Sequence, residues 1–282
     1  MAKLKEAHKR VAKKKPALPL GEQLAAVLAA KECDVKKARS LIMRGADPNT
    51  VHDGDPVLVI AARKNLIKVA EALLAKGADP NSTCDRGQSA ILVCSYKGHP
   101  EIAEMLLAKG ANPNTPQDDL YPLALACQYG YTSIAKGLID HGALLDVQDS
   151  YGNTPLIRAA YEGAVEIVEA LLQKGANIEI ADKDGRTALM SVGLVQCKRD
   201  YVGPPRKKMR IAELLIEAGA DTRHVDKNNH TALDIAGGSK HHEINAMISD
   251  KNVKNDKQDL EQGIPLRKDI KVCSPIKLKF GG

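Results

Sequence analysis

The chain has 282 residues, a formal charge of +6 at neutral pH, and only eight aromatic side chains, none of them Trp. No apolar run approaches the roughly 18 residues that a membrane helix needs, and the N-terminus is charged where a secretory leader would be apolar, so a soluble intracellular chain is expected. The length admits two globular domains, but so few aromatic rings suit a thin core filled by Ala, Leu, Ile and Val.

Residues 1–19 form a basic arm. Lys13, Lys14 and Lys15 close a run whose net charge over residues 1–16 is +6, and such a segment is expected to be disordered. From Leu20 onward a Gly-Ala step ends one apolar run after another, at Gly45, Gly77, Gly110, Gly142, Gly175 and Gly219. The glycines are spaced 32, 33, 32, 33 and 44 residues apart. A fixed period of this size marks stacked supersecondary units. A first, atypical unit spans about Leu20 to Asn49, full units begin near Val51, Cys84, Pro116, Asp149 and Asp182, and a last half-unit ends near Ser249.

The fifth unit shows how each unit folds. Thr154 before Pro155 predicts a helix N-cap followed by proline at the first helical position. Leu156, Ala159 and Ala160 make a short inner helix. Ile167, Val168, Leu171 and Leu172 recur at helical spacing and form the apolar face of an antiparallel outer helix. Gly175 then suits a left-handed helix end. Asp-x-Asn sequences such as Asp47-Pro48-Asn49 start the turn into the next unit. Tyr121-Pro122 and Pro56-Val57 replace the Thr-Pro start, and each loses one hydroxyl cap, worth about 1 kcal/mol.

The sixth unit is about eleven residues longer than the others, and its inserted stretch, 196–209, falls in the expected loop between its two helices. This stretch holds Arg206, Lys207 and Lys208; either a functional loop or a tolerated solvated one accounts for it. The tail, 250–282, has no helical period and is expected to be flexible. After the arm, residues 195–210 and the tail are set aside, the repeat scaffold carries about −8: an acidic solenoid with basic appendages.

The order Thr154-Pro155-Leu156, Ala159-Ala160, Gly163, Leu171-Leu172 and Gly175-Ala176-Asn177 resembles the ankyrin repeat, and the likeness covers roughly residues 20–249. It implies an all-α solenoid of about seven units, each a helix-turn-helix with a β-hairpin loop. It also implies that partners meet the concave surface of inner helices and hairpin tips. On that surface it places Arg63, Lys64, Tyr96, Lys97, Gln128, Tyr129, Tyr161 and Glu162 at inner-helix ends, and Tyr151 on a hairpin tip. Half of all the aromatics fall on this one face. Tyrosine is enriched at interaction hot spots, and a contact role is preferred over rings that merely cover neighbouring units. Asn49, Asn81 and Asn114, eight residues after Leu41, Leu73 and Leu106, match the spacing of asparaginyl hydroxylation sites in the family, although a turn-forming Asn needs no modification to be there.

Catalytic chemistry has little to stand on. The six cysteines form no C-x-x-C pair, and Cys94 and Cys127 occupy small inner-helix positions, as expected in a reducing compartment. No histidine joins them at metal-ligand spacing, and no nucleophile–base set stands out. The expected function is a non-catalytic, monomeric adaptor or regulator, without cofactor or metal, that binds another protein in the cytoplasm and enters the nucleus if the basic runs act as import signals. Two alternatives stay open: an electrostatic binder of nucleic acid or acidic membrane through the arm and the inserted loop, and a pathogen effector that uses the scaffold to engage host proteins.

Overall fold

A computed structural model describes residues 18–194, 205–238 and 242–262. Their helices fall into pairs. The first is α1 (Leu20–Ala29) with α2 (Val35–Met43); α3 (Val57–Arg63) pairs with α4 (Ile67–Ala75), and α5 (Ala90–Lys97) with α6 (Pro100–Ala108). Next come α7 (Pro122–Gln128) with α8 (Thr132–Asp140), and α9 (Pro155–Glu162) with α10 (Val165–Gln173). The last two pairs are α11 (Ala188–Val192) with α12 (Pro205–Glu217), and α13 (Ala232–Gly238) with α14 (His242–Glu261). Odd-numbered helices pack on one another as an inner row, and even-numbered helices as an outer row. One continuous apolar core runs between the rows from Leu24 to Ile248, so each pair buries its apolar face on its neighbours.

Starts and stops follow the chemistry of the chain. Ser89 and Thr154 accept hydrogen bonds from Leu92 N and Ile157 N at 3.3 and 3.2 Å, and Tyr121 and Pro56 supply no side-chain cap. Thr187 supplies none either, despite its matching position. At every Gly-Ala step the glycine has a positive φ. The following alanine N–H bonds back to the carbonyl five residues earlier, as from Ala78 to Leu73 and from Ala111 to Leu106, at 2.9 Å. These are helix ends of the Schellman type, which glycine adopts without steric cost.

The connecting hairpins are mostly tight turns. The only paired strands among the described residues are β1 (Val51–His52) and β2 (Asp55–Pro56), with isolated bridges at Thr83–Ser89, Gln117–Leu120 and Val225–Thr231.

Two boundaries differ from expectation. The basic residues Arg206, Lys207 and Lys208 do not sit in a loop: α12 begins at Pro205, so they occupy its first turn, with proline at the position it favours. The final helix also runs past residue 249 to Glu261. Ile244 and Ile248 bury its first half. Its second half is held by charge, with Arg223 bonding Asp259 at 2.7 Å and lying 3.6 Å from Asp256. Polar anchoring leaves no apolar period, which is why the sequence pattern fades there. The arm Lys13–Lys15 and the tail beyond 262 lie outside the described residues.

Candidate functional site

The inner helices α3, α5, α7 and α9 each end in a pair of long side chains, and the structure gives these pairs unequal roles. Arg63 grips Asp55 of its own hairpin with two hydrogen bonds of 2.6 and 3.0 Å, and this partner, together with its charge, holds the Asp55 carboxyl below its usual value. Lys64 reaches back one unit and donates to the carbonyls of Leu28, Ala29 and Ala30 at 2.7, 3.3 and 2.6 Å, the open end of α1. A cation at a helix C-terminus stabilises it. Both residues are therefore engaged within the scaffold.

The next two units leave their rings uncovered. Tyr96 and Tyr129 are 51% and 41% exposed. Their rings meet edge to face with centroids 5.6 Å apart at 80°, and Lys97 places its ammonium 5.4 Å from the Tyr96 centroid. Gln128 is half-buried beside them. Tyr131, at the N-terminus of α8, stacks on Tyr129 at 5.8 Å and completes a three-ring cluster across two units. Partial burial, and then the neighbouring phenols, raise the pKa of Tyr129, so its own phenol stays neutral at ordinary pH.

In the fifth unit Tyr151 is 69% exposed on the hairpin tip, with the Arg158 guanidinium 5.9 Å from its centroid. Arg158 is itself bound to Asp149, at 2.9 Å from Nε and 2.5 Å from the Nη2 nitrogen. Tyr161 is half-buried under Lys208, whose ammonium lies 5.7 Å from the ring centroid and donates to Leu194 O at 2.6 Å. Burial lowers the Lys208 pKa, while the Glu162 carboxylate works against that shift. Of the basic run on α12, Arg206 and Lys207 stay exposed. Arg210 pairs with Glu213 at 3.1 Å and lies 4.0 Å from Glu169.

The three asparagines do one structural job. The Asn49, Asn81 and Asn114 side chains donate to the carbonyls of Gly77, Gly110 and Gly142 at 3.4, 3.2 and 3.1 Å. Their Oδ1 atoms accept from the N–H groups of Asp79, Asn112 and Leu144 at 2.8, 2.7 and 2.7 Å. Each staples its turn to the helix end of the following unit.

Tyr131 and the Arg158–Asp149 clamp were not singled out in the sequence, although a signal existed for each. Tyr131 lies one repeat period after Gly98, where a Cβ would come 2.6 Å from the Tyr131 ring. Arg158–Asp149 repeats the Arg63–Asp55 arrangement at nearly the same spacing. Among the described residues no cluster of His, Cys, Asp or Glu is arranged to hold a metal, and no helix is long and apolar enough to cross a membrane.

Comparison with known proteins agrees with this architecture. The family model described as ankyrin repeats (3 copies) matches residues 26–117 and 114–182. An ankyrin repeat domain from Acinetobacter baumannii AYE superposes with a TM-score of 0.62 at 28% identity, over 69% of this chain and 97% of that one. The ankyrin repeat protein EF0377 gives a TM-score of 0.61 at 26% identity, over 71% and 98%. No curated protein matches the chain. Ankyrin repeats are in general non-catalytic scaffolds for protein–protein interaction. The chain belongs to the ankyrin repeat family.

Proposed function

We propose that this protein is a non-catalytic adaptor that holds a protein partner on the concave face of its inner helices, with Tyr96, Tyr129 and Tyr131 as the central contact. The observation that carries this reading is a large, rigid, neutral ring surface, left half-exposed and continuous across two units. Such rings cost little entropy to immobilise and supply apolar area together with a phenolic hydroxyl. Of the inner-face cations, Arg63, Lys64 and Lys208 already have acceptors within the chain, while Lys97 lies against the Tyr96 ring at the edge of the cluster. The free thiols of Cys84, Cys94 and Cys127 suit a reducing compartment such as the cytoplasm or nucleus. Asn49, Asn81 and Asn114 belong to the scaffold in this reading, whether or not they are hydroxylated.

Affinity capture from the native cell with wild-type and Tyr129→Ala protein tests the proposal. Loss of the ring should weaken retention of a specific partner by about 2 kcal/mol, roughly thirtyfold, with the unfolding midpoint within a few degrees of wild type. Replacing Glu104 on the outer helix α6 should leave retention unchanged. Equal losses from both faces, or a Tyr129→Ala protein that is mainly unfolded, would reject concave-face recognition. A polyanion binder would instead lose affinity steeply between 50 and 200 mM salt, by a factor on the order of 10³ or more.

A further inference from the structure

The regular pattern of the repeat changes between the fifth and sixth units, although their helices still pack on one another. Helices α3, α5, α7 and α9 have seven or eight residues, whereas α11 has five and stops at Val192. Leu194 occupies the position in the repeat that Tyr161 holds one unit earlier, but the helix has ended before it. The missing turn leaves a concavity of about 310 Å³ on the inner side, walled by Tyr151, Ile157, Arg158, Tyr161, Arg186 and Leu194. This is the lower end of the range for ligand pockets, enough for one large side chain.

We propose that this recess is a subsite for a neutral, planar aromatic side chain presented by the protein partner. The proposal deepens the concave-face reading and rests on it for the source of that side chain. The wall chemistry favours this occupant over an ion. Arg158 is satisfied by Asp149. Arg186 lies 3.1 Å from Asp184 and 3.9 Å from Asp226, although its buried Nε makes no hydrogen bond; Lys208 is bonded to Leu194 O, and Lys183 lines the recess together with Asp182 and Asp184. With each guanidinium already facing a carboxylate, an entering ion would meet opposing charges of both signs. Beside the polar groups of Asn153 and Ser191, the recess offers planar surface from two phenol rings and two guanidinium groups. Aromatic rings stack on both kinds of surface, whereas an aliphatic side chain gains only burial.

The probe is N-acetyl-L-tryptophanamide, titrated into the full chain labelled with ¹⁵N, with backbone amide shifts as the readout. Saturable shifts at Ile157, Ser191 and Leu194, with a Kd of roughly millimolar order, are expected. Tyr151→Ala, at an exposed position that leaves the core untouched, should weaken binding by about five- to tenfold. N-acetyl-L-leucinamide and acetate at the same concentrations should give no saturable shifts there. Absence of binding by the tryptophan probe, or equal binding of the leucine probe or of acetate, overturns the proposal. So does tight binding that is seen only after replacement of Tyr201, the one aromatic residue of the inserted stretch 196–209, by alanine (Tyr201→Ala), which would make the chain's own insertion the occupant. Failure here leaves the Tyr129→Ala capture result standing, so the subsite and the concave-face reading fail separately.

Discussion

Gly98 and Gly77 offer a paired test of how the aromatic cluster is supported. Both glycines follow a helix, at φ +76° and +88° respectively, a region that costs an L-residue about 1–2 kcal/mol. They differ in their surroundings. A Cβ at Gly77 meets nothing within 4 Å, whereas one at Gly98 would lie 2.6 Å from Tyr131 Cζ and 2.8 Å from Cε1. Gly77→Ala should therefore cost the backbone strain alone, about 1–2 kcal/mol. Gly98→Ala must also push the Tyr131 ring aside by on the order of 1 Å to reach an ordinary contact distance. That movement breaks its stack on Tyr129, an arrangement worth about 0.5–1.5 kcal/mol, and opens the packing beneath it. A total loss of about 2–4 kcal/mol is expected.

Urea unfolding of both variants measures the difference, and the Tyr131→Ala background isolates its origin. If the ring is the obstacle, Gly98→Ala should cost no more than Gly77→Ala once Tyr131 is truncated, a coupling that a double-mutant cycle reads directly. Equal losses for Gly98→Ala and Gly77→Ala in the native background would refute the claim that Gly98 is kept small to seat the ring.

Two further outcomes follow from the same contacts. Asn81→Ala removes both hydrogen bonds that join the second unit's turn to the third unit and should cost about 1–2 kcal/mol; hydrogen exchange at the Asn112 amide should speed up with it, and unchanged exchange would remove the staple role. Asp55 and Asp149 both titrate below the usual carboxylate value. For Asp55 the leading cause is the hydrogen bond from Arg63; for Asp149, burial pulls upward but is outweighed by Arg158 and by the N–H groups of Asn153 and Tyr151. A depressed folded-state pKa means that their stabilisation is fully present above roughly pH 4 and is lost as pH falls through the lower folded values. The unfolding midpoint should therefore decline more steeply on acidification in wild type than in Asp149→Asn, and parallel acid limbs would contradict the assignment.

What the sequence makes legible here is what repeats. The Gly-Ala steps announce six helix ends because only glycine takes the left-handed turn freely, and the interval of 44 residues announces the broken sixth unit. Contacts between units are harder to see. Lys64 bonds to a carbonyl 36 residues earlier, and nothing about a lysine at an inner-helix end distinguishes a cap for the preceding unit from a free cation. Tyr131 over Gly98 is a contact of one full period, invisible when each unit is compared only with its counterpart. The second half of α14 escapes the pattern for another reason: it is anchored by Arg223 and by Thr222, which bonds Asn252 at 2.5 Å, so burial leaves no apolar stripe to read.

A common principle links the scaffold and the candidate site. Four charged side chains on the inner face are engaged by the stack itself: Arg63 and Arg158 lock hairpins to their own helices, Lys64 closes a helix end, and Lys208 bonds to Leu194 O across the start of the insertion. Such part-buried, hydrogen-bonded pairs orient neighbouring elements, and breaking one partner would leave the other uncompensated. The tyrosines carry a different burden. Tyr96, Tyr129 and Tyr151 keep two-fifths or more of their surface in solvent, although a chain with only eight aromatic residues had ample core in which to bury them. Interface centres are depleted in charge and enriched in such rings, which is why the proposed contact is set on the rings rather than on the cations. The shortened helix α11 extends the same logic, since removing one inner turn adds an aromatic-walled recess at little expense to a stack that is held elsewhere by its continuous core.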